Sequence, residues 1–213
     1  RHTLPILSNV LMEKDGEKLT LLATDIEIQL TTRTPTIGPG KAAMTVGARK
    51  LQDILRSLPE SAEVSLALEE KRLQLKAGKS RFNLQTLPAE DFPRMSAADG
   101  QPSRLLITQK QMKRLLGLVQ YAMAQQDIRY YLNGLLLVAK GSELRMVATD
   151  GHRLAYAAEL LAEAPAPIEV ILPRKTVLEL SRQLADNDDP LEITLTPTQA
   201  RFSFGGIELV SKL

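Results

Sequence analysis

The sequence predicts an α+β protein made of duplicated domains, each a set of antiparallel strands with helices packed on one face. Three observations predict it. Residues 7–30 and 132–155 align without a gap at an offset of 125. Apolar residues alternate over several short runs, as half-buried strands require, and they recur at helical spacing in three longer stretches.

The repeat is the strongest of these. Leu7, Leu11, Gly16, Leu19, Ala23, Thr24 and Asp25 return as Leu132, Leu136, Gly141, Leu144, Ala148, Thr149 and Asp150. The same offset carries Arg49-Lys50 onto Arg174-Lys175, at the head of a helical pattern. A period this long implies duplicated domains, because solenoid units run roughly 20–50 residues.

The elements follow in chain order. Residues 7–25 hold two apolar-rich runs about a Lys-Asp-Gly turn, the mark of a hairpin. Residues 27–36 alternate as a strand, and 41–47 lead into the next element. Leu51, Ile54, Leu55 and Leu58 are spaced as a helix that Pro59 stops. Residues 62–87 read as three strands separated by charged or Gly-containing turns. The second copy repeats the order, with its helix at 173–185 and strands in 192–197 and 199–213. It is preceded by a strand and an amphipathic helix in 103–123, with Met112, Leu115, Leu116, Val119 and Met123 inward. Nothing equivalent precedes Arg1. The expected division is therefore a first domain at 1–90 short of its N-terminal strand and helix, a Pro- and Gly-rich linker at 91–103, and a second domain at 104–213 short of its C-terminal end.

Composition excludes several classes. There is no cysteine, so disulfides and thiol-bound metals are ruled out, and a reducing, cytoplasmic home fits. No apolar span is long enough for a membrane, and no signal peptide is visible. No cofactor motif is present. The formal net charge is +2, but it is unevenly placed. The helical stretches carry +2 (Arg49, Lys50, Asp53, Arg56), +3 (Lys110, Lys113, Arg114) and +2 (Arg174, Lys175, Glu179, Arg182), leaving −5 elsewhere. Basic helices beside an acidic remainder suit phosphate attraction on one surface, though cations also simply solubilise a helix face.

The stretches RHTLPILSNVL, SRFNLQTLPAEDFP, MAQQDIRYYLNGLLL, VATDGHRLA and LPRKTVLEL, in that order, resemble the bacterial beta sliding clamp over essentially the whole chain. The resemblance implies the DNA-clamp (processivity) fold. It implies three similar domains per subunit and a head-to-tail homodimer ring, with helices lining a hole around double-stranded DNA and strands outside. The function implied is a non-catalytic processivity factor of the DNA polymerase III holoenzyme. Its partners would be the polymerase III alpha subunit, the clamp loader and other proteins carrying a clamp-binding motif.

Site residues follow from the resemblance, position by position. Arg1, Gln126, Tyr130 and Tyr131 match family positions that touch DNA, and the basic helices add Arg49, Arg56, Arg114, Arg174 and Lys175. Leu132, Thr149, Gly151, His152, Arg153 and Leu154 match the hydrophobic cleft that takes partner peptides. Lys50, Phe82 and Leu84 match the subunit interface. The residues themselves leave alternatives open. Tyr130 and Tyr131, if they lie in a strand, point to opposite faces, and Phe82 and Leu84 share a face that could equally be the domain's own core. No zinc finger or RNP aromatic pattern is present to read bases.

Two other classes compete. An enzyme would draw on His152 near Asp150, but the first copy has Glu27 in place of His152, so the repeated element is Thr-Asp. That pair fits a turn in which the carboxylate holds backbone amides. No nucleophile motif, metal-ligand cluster or phosphate loop accompanies it. A clamp-fold binding protein that forms no ring is the other alternative.

Overall fold

The computed structural model describes residues 4–213, so Arg1 lies outside the described residues. The chain divides into two compact units, Arg1–Met95 and Ser96–Leu213.

The first unit contains β1 (Asn9–Asp15), β2 (Lys18–Thr24), β3 (Ile28–Pro35), β4 (Lys41–Gly47), α1 (Ala48–Ser57), β5 (Ser65–Glu69), β6 (Arg72–Ala77) and β7 (Ser80–Leu87). Its strands are ordered β5-β6-β7-β4-β1-β2-β3 and pair antiparallel. The β1–β2 hairpin turns at Gly16, whose φ of +60° is open to glycine at no steric cost. Alternation in β6 sends Leu73, Leu75 and Ala77 inward, and Leu73 and Leu75 meet Met12, Met44, Val46, Leu51, Ile54 and Leu84. Strand β7 joins β4 only through Thr86 and Leu87. Among the described residues, no strand pairs with the rest of that edge of β7.

The second unit begins with β8 (Ser103–Thr108) and α2 (Gln109–Val119). It continues with β9 (Gly134–Lys140), β10 (Glu143–Thr149), β11 (Leu154–Leu160), β12 (Ile168–Pro173) and α3 (Arg174–Gln183). It ends with β13 (Pro190–Leu195), β14 (Gln199–Phe204) and β15 (Ile207–Lys212). The strands lie in the orders β11-β10-β9-β12 and β15-β14-β13-β8. Helix α2 starts at a reciprocal cap: the Thr108 hydroxyl accepts from Gln111 N (3.1 Å) and Gln111 Oε1 accepts from Thr108 N (2.9 Å). It lies against β10 and β11 on one side and β8 and β13 on the other. There Met112, Leu115, Leu116 and Val119 are completely buried.

Comparing the two units corrects the repeat register. Strands β1 and β2 map onto β9 and β10 at 125, with matching pairs such as Thr24↔Gln29 and Thr149↔Leu154. From β4 onward the offset is 126: Val46 faces Val10, whereas Leu172 faces Leu135. The extra residue falls between the third and fourth strands; the connection is 36–40 in one unit and 161–167 in the other, where β12 also begins one residue later than β4 in this register. Arg49 therefore corresponds to Lys175, and Lys50 to the buried Thr176. The inward residues then agree, Leu51 with Val177 and Ile54 with Leu180. So do the charges, Asp53 with Glu179 and Arg56 with Arg182.

Candidate functional site

The Thr-Asp element is a turn, and it is built identically twice. Asp25 Oδ1 accepts from the amides of Glu27 (3.0 Å) and Ile28 (2.9 Å), while Thr24 Oγ1 accepts from Ile26 N and donates to Ile28 O. Asp150 Oδ1 likewise accepts from His152 N (2.9 Å) and Arg153 N (3.0 Å), and Thr149 Oγ1 bridges Gly151 N and Arg153 O. These amides, with the Arg153 guanidinium, hold the Asp150 carboxyl below its ordinary range. The central residue must take positive φ. It is Gly151 at +91° in the second unit and Ile26 at +71° in the first. A β-branched residue there is strained, and Ile26 is also 42% exposed. Replacing Ile26 by glycine is expected to stabilise the first unit by about 0.5–1 kcal/mol, read as a rise in the urea midpoint.

Around the second turn a polar frame is assembled. Residues 125–131 form a loop held by Asn133, which accepts from Asp127 N (2.9 Å) and donates to Asp127 O (2.7 Å). Asp127 in turn accepts from Arg129 through N, Nε and Nη2 at 2.8–2.9 Å. The Arg129 side chain, then its backbone amide, hold the Asp127 carboxyl far below the carboxylate range. The guanidinium so placed lies over Gly151, 3.4 Å from where a Cβ would stand. Arg153 bonds Asp150 Oδ2 (3.1 Å) and sits 5.4 Å from the centroid of the Tyr121 ring.

Of the expected cleft residues, Gly151, His152, Arg153 and Leu154 are exposed together at the end of the β10–β11 hairpin. Leu154 is 65% exposed, a large apolar side chain framed by cations whose acids are already paired. Leu132 is buried at 7%, and the Thr149 hydroxyl is consumed by the turn, so these two support the surface rather than form it. Sequence reasoning missed Tyr121, Asp127 and Arg129. The Asp-x-Arg spacing at 127–129 was the available signal, since a carboxylate two residues ahead accepts that backbone amide.

The first unit carries the same turn without the same surface. Its residue equivalent to Leu154 is Gln29, which is buried and accepts from Met95 N (2.9 Å). The end of the first unit's own chain covers the place that is open in the second.

The expected phosphate-facing residues separate into two groups. Arg49, Arg56 and Lys175 are exposed on the outer faces of α1 and α3, and Arg174 is half-buried. Arg114 is less available, because it pairs with Glu159 on β11 (2.9 Å). Lys113 donates to Leu184 O (3.0 Å). Arg182 was counted as helix charge but not as a site residue. It pairs with Glu179 within one turn and remains 72% exposed. Gln126, Tyr130 and Tyr131 are exposed. The tyrosines lie not in a strand but in a 3-10 turn, Tyr130–Leu132, with rings edge-to-face at 5.7 Å.

At the expected interface, Lys50 is exposed and Phe82 packs partly on the first unit's core. Leu84, at 2% exposure, packs into that core, because the alternation that brings Leu73 opposite it turns both inward.

Models of the DNA polymerase III beta subunit match the chain, the N-terminal domain over residues 1–96 and the central domain over 106–213. The beta sliding clamp of Pseudomonas aeruginosa is 45% identical and that of Escherichia coli K12 43%, each aligned to 100% of this chain. The crystal structure of the DNA polymerase III subunit beta from P. aeruginosa superposes with a TM-score of 0.94 at 45% identity, over 100% of this chain and 58% of that one. A P. aeruginosa sliding clamp bound to griselimycin gives the same TM-score at 44% identity, with the same coverage. The chain thus spans 58% of the length of these curated relatives.

Proposed function

Because this chain belongs to the DNA polymerase III beta-subunit family, we propose that it supplies part of a sliding clamp, a non-catalytic cytoplasmic ring that encircles duplex DNA and tethers the replicative polymerase. The observation that carries this reading is the duplicated charge on α1 and α3. In corrected register, Arg49 and Arg56 repeat as Lys175 and Arg182, all exposed, while the opposite helix faces sit in the cores. Such cations meet phosphates whatever the base sequence, and a few of them hold DNA loosely enough for translation. Exposed Gln126, Tyr130 and Tyr131 would add contacts on a neighbouring loop. Arg1 and Arg174 complete the proposed set, with Arg114 contributing only when it leaves Glu159.

The surface at Leu154 is the proposed seat for partner peptides, those of the polymerase III alpha subunit, the clamp loader and other clamp-binding proteins. Leu132, Thr149, Gly151, His152 and Arg153 form or support it. That a relative takes up griselimycin supports a ligand-accepting surface in the family. The unfilled edge of β7, the strand that carries Phe82, supports a homodimer closed by strand pairing, with Lys50 of α1 proposed for the same interface.

Charge reversal of Arg49, Arg56, Lys175 and Arg182 in the complete clamp is expected to shorten its residence on nicked circular DNA equally for all sequences. Each lost phosphate contact should flatten the logarithmic salt slope by about one. An unchanged slope, or a strong preference for one DNA sequence in the unaltered clamp, would sink the reading.

A further inference from the structure

Of the chain's asparagines, only Asn133 precedes a glycine. That pair is chemically labile in any polypeptide, because glycine leaves its own amide nitrogen unshielded beside the asparagine side chain. Here neither residue can be exchanged freely. A side chain at 134 would collide with the Leu172 carbonyl of β12. Asn133 must both accept and donate on a short side chain: Oδ1 accepts from Asp127 N (2.9 Å) and Nδ2 donates to Asp127 O (2.7 Å). Its backbone extends the anchorage, with Asn133 N donating to Tyr130 O (3.0 Å) and Asn133 O accepting from Arg174 N (2.9 Å) at the start of α3. The loop closed in this way exposes Gln126, Tyr130 and Tyr131 and sets the Arg129 guanidinium over Gly151. One side-chain amide therefore holds residues of both proposed surfaces.

We propose that Asn133 is a deamidation site, and that its conversion to an acid releases the 125–131 loop and weakens DNA and peptide binding together. In the reaction the Gly134 nitrogen gives up its proton and attacks Cγ of Asn133, and the side-chain nitrogen leaves as ammonia. Water then opens the cyclic imide at either carbonyl, leaving aspartate or its isoaspartyl isomer. No oxidant or cofactor takes part. The side chain must first leave Asp127, so the rate follows local opening of the loop and is slower than in an unfolded chain. The product carries the wrong groups. An ionised carboxylate accepts but cannot donate, so the bond to Asp127 O is lost and oxygen faces oxygen. The isoaspartyl form also lengthens the main chain at the start of β9, where Arg174 N is bonded. The effect on binding rests on the reading of the two surfaces given above.

The test has two arms, both in the complete clamp. The first ages folded and urea-unfolded protein at physiological temperature and mildly alkaline pH, and maps acid at each asparagine by mass spectrometry. Acid is expected at Asn133 ahead of Asn9, Asn83 and Asn187, and sooner in urea. An Asn133 still intact when those have reacted overturns the proposal. The second arm uses Asn133→Asp, the product made directly. At neutral pH it is expected to bind a clamp-binding peptide at least about ten-fold more weakly and to leave nicked circular DNA sooner. As pH falls through the carboxyl range, its affinity relative to the unaltered clamp is expected to recover, because a protonated acid again donates to Asp127 O. Asp127 itself stays ionised there, held low by Arg129, and the ratio cancels the groups common to both proteins, His152, Asp150 and Tyr131 included. Unchanged binding by Asn133→Asp overturns the proposal, as does a loss that acid does not reverse or a melting of the whole second unit. Leu154→Asp and the reversed helix cations are measured alongside. If these also leave binding unchanged, the reading of the surfaces has failed; if Asn133→Asp alone is silent, only the present proposal has.

Discussion

Replacing Gly134 by alanine is expected to lower the stability of the second unit by about 3 kcal/mol or more, a large share of what an ordinary domain has. Gly134 opens β9 and lies opposite Pro173 of β12. An added Cβ would stand 2.2 Å from Leu172 O and 3.1 Å from Leu172 C, where ordinary contact begins near 3.4 Å. Both obstacles are backbone, so no rotamer change relieves them. Strand β12 cannot simply withdraw, since Arg174 N donates to Asn133 O (2.9 Å) at the same point and pins α3 to the start of β9. Gly117 provides the contrast: it is exposed in α2, with nothing within 4 Å of the added carbon. Its replacement by alanine is expected to be neutral or stabilising by up to about 1 kcal/mol. Urea unfolding followed by far-UV circular dichroism measures both. A Gly134→Ala chain that melts like the unaltered one would show that β9 and β12 are not held at this spacing.

Leu154→Asp in the complete clamp is expected to weaken binding of a clamp-binding peptide by roughly 100-fold, close to 3 kcal/mol, with folding unaffected. The side chain is 65% exposed, so it contributes little to the core. A carboxylate in its place would have to be desolvated beneath the incoming apolar anchor. The nearby cations offer it limited relief, because Arg129 is committed to Asp127 and Arg153 to Asp150. Isothermal titration with the peptide, alongside the DNA-residence assay, separates this surface from the basic helices. Affinity changed less than two-fold would remove Leu154 from the peptide site.

Much of this fold is legible in the sequence because its signals are local. Asp15-Gly16 announces a hairpin, RLQLKA and QARFSF alternate with period two, and Met112 through Val119 mark one helix face; each has its predicted counterpart in the structure. What escaped depends on distant or fine-grained geometry. The repeat gains one residue in a loop, where composition carries no register, so Arg49-Lys50 was aligned to Arg174-Lys175 and the paired acids Asp53 and Glu179 went unmatched. Whether Tyr130 and Tyr131 lie in a strand stayed open in the sequence, because the Asn133–Asp127 bonds that curl the segment join side chain to backbone across six residues. Leu84 could be given to either face of β7 until Leu73 was found opposite it. In the candidate site, the exposed turn was readable from Thr-Asp-Gly, but the Arg129 guanidinium over Gly151 requires two loops to meet.

The bond from Met95 to Gln29 has a consequence for valency. Two copies of one hairpin would ordinarily give two equivalent ligand sites per chain, and partners could then crowd or bridge them. In the first copy that address is occupied internally by a main-chain amide, and a polar side chain stands where the second copy offers an aliphatic one. On the proposed reading, the two described units would offer one berth between them. If the proposed homodimer forms, these units would contribute two such places to it, and peptides binding there would compete by mass action.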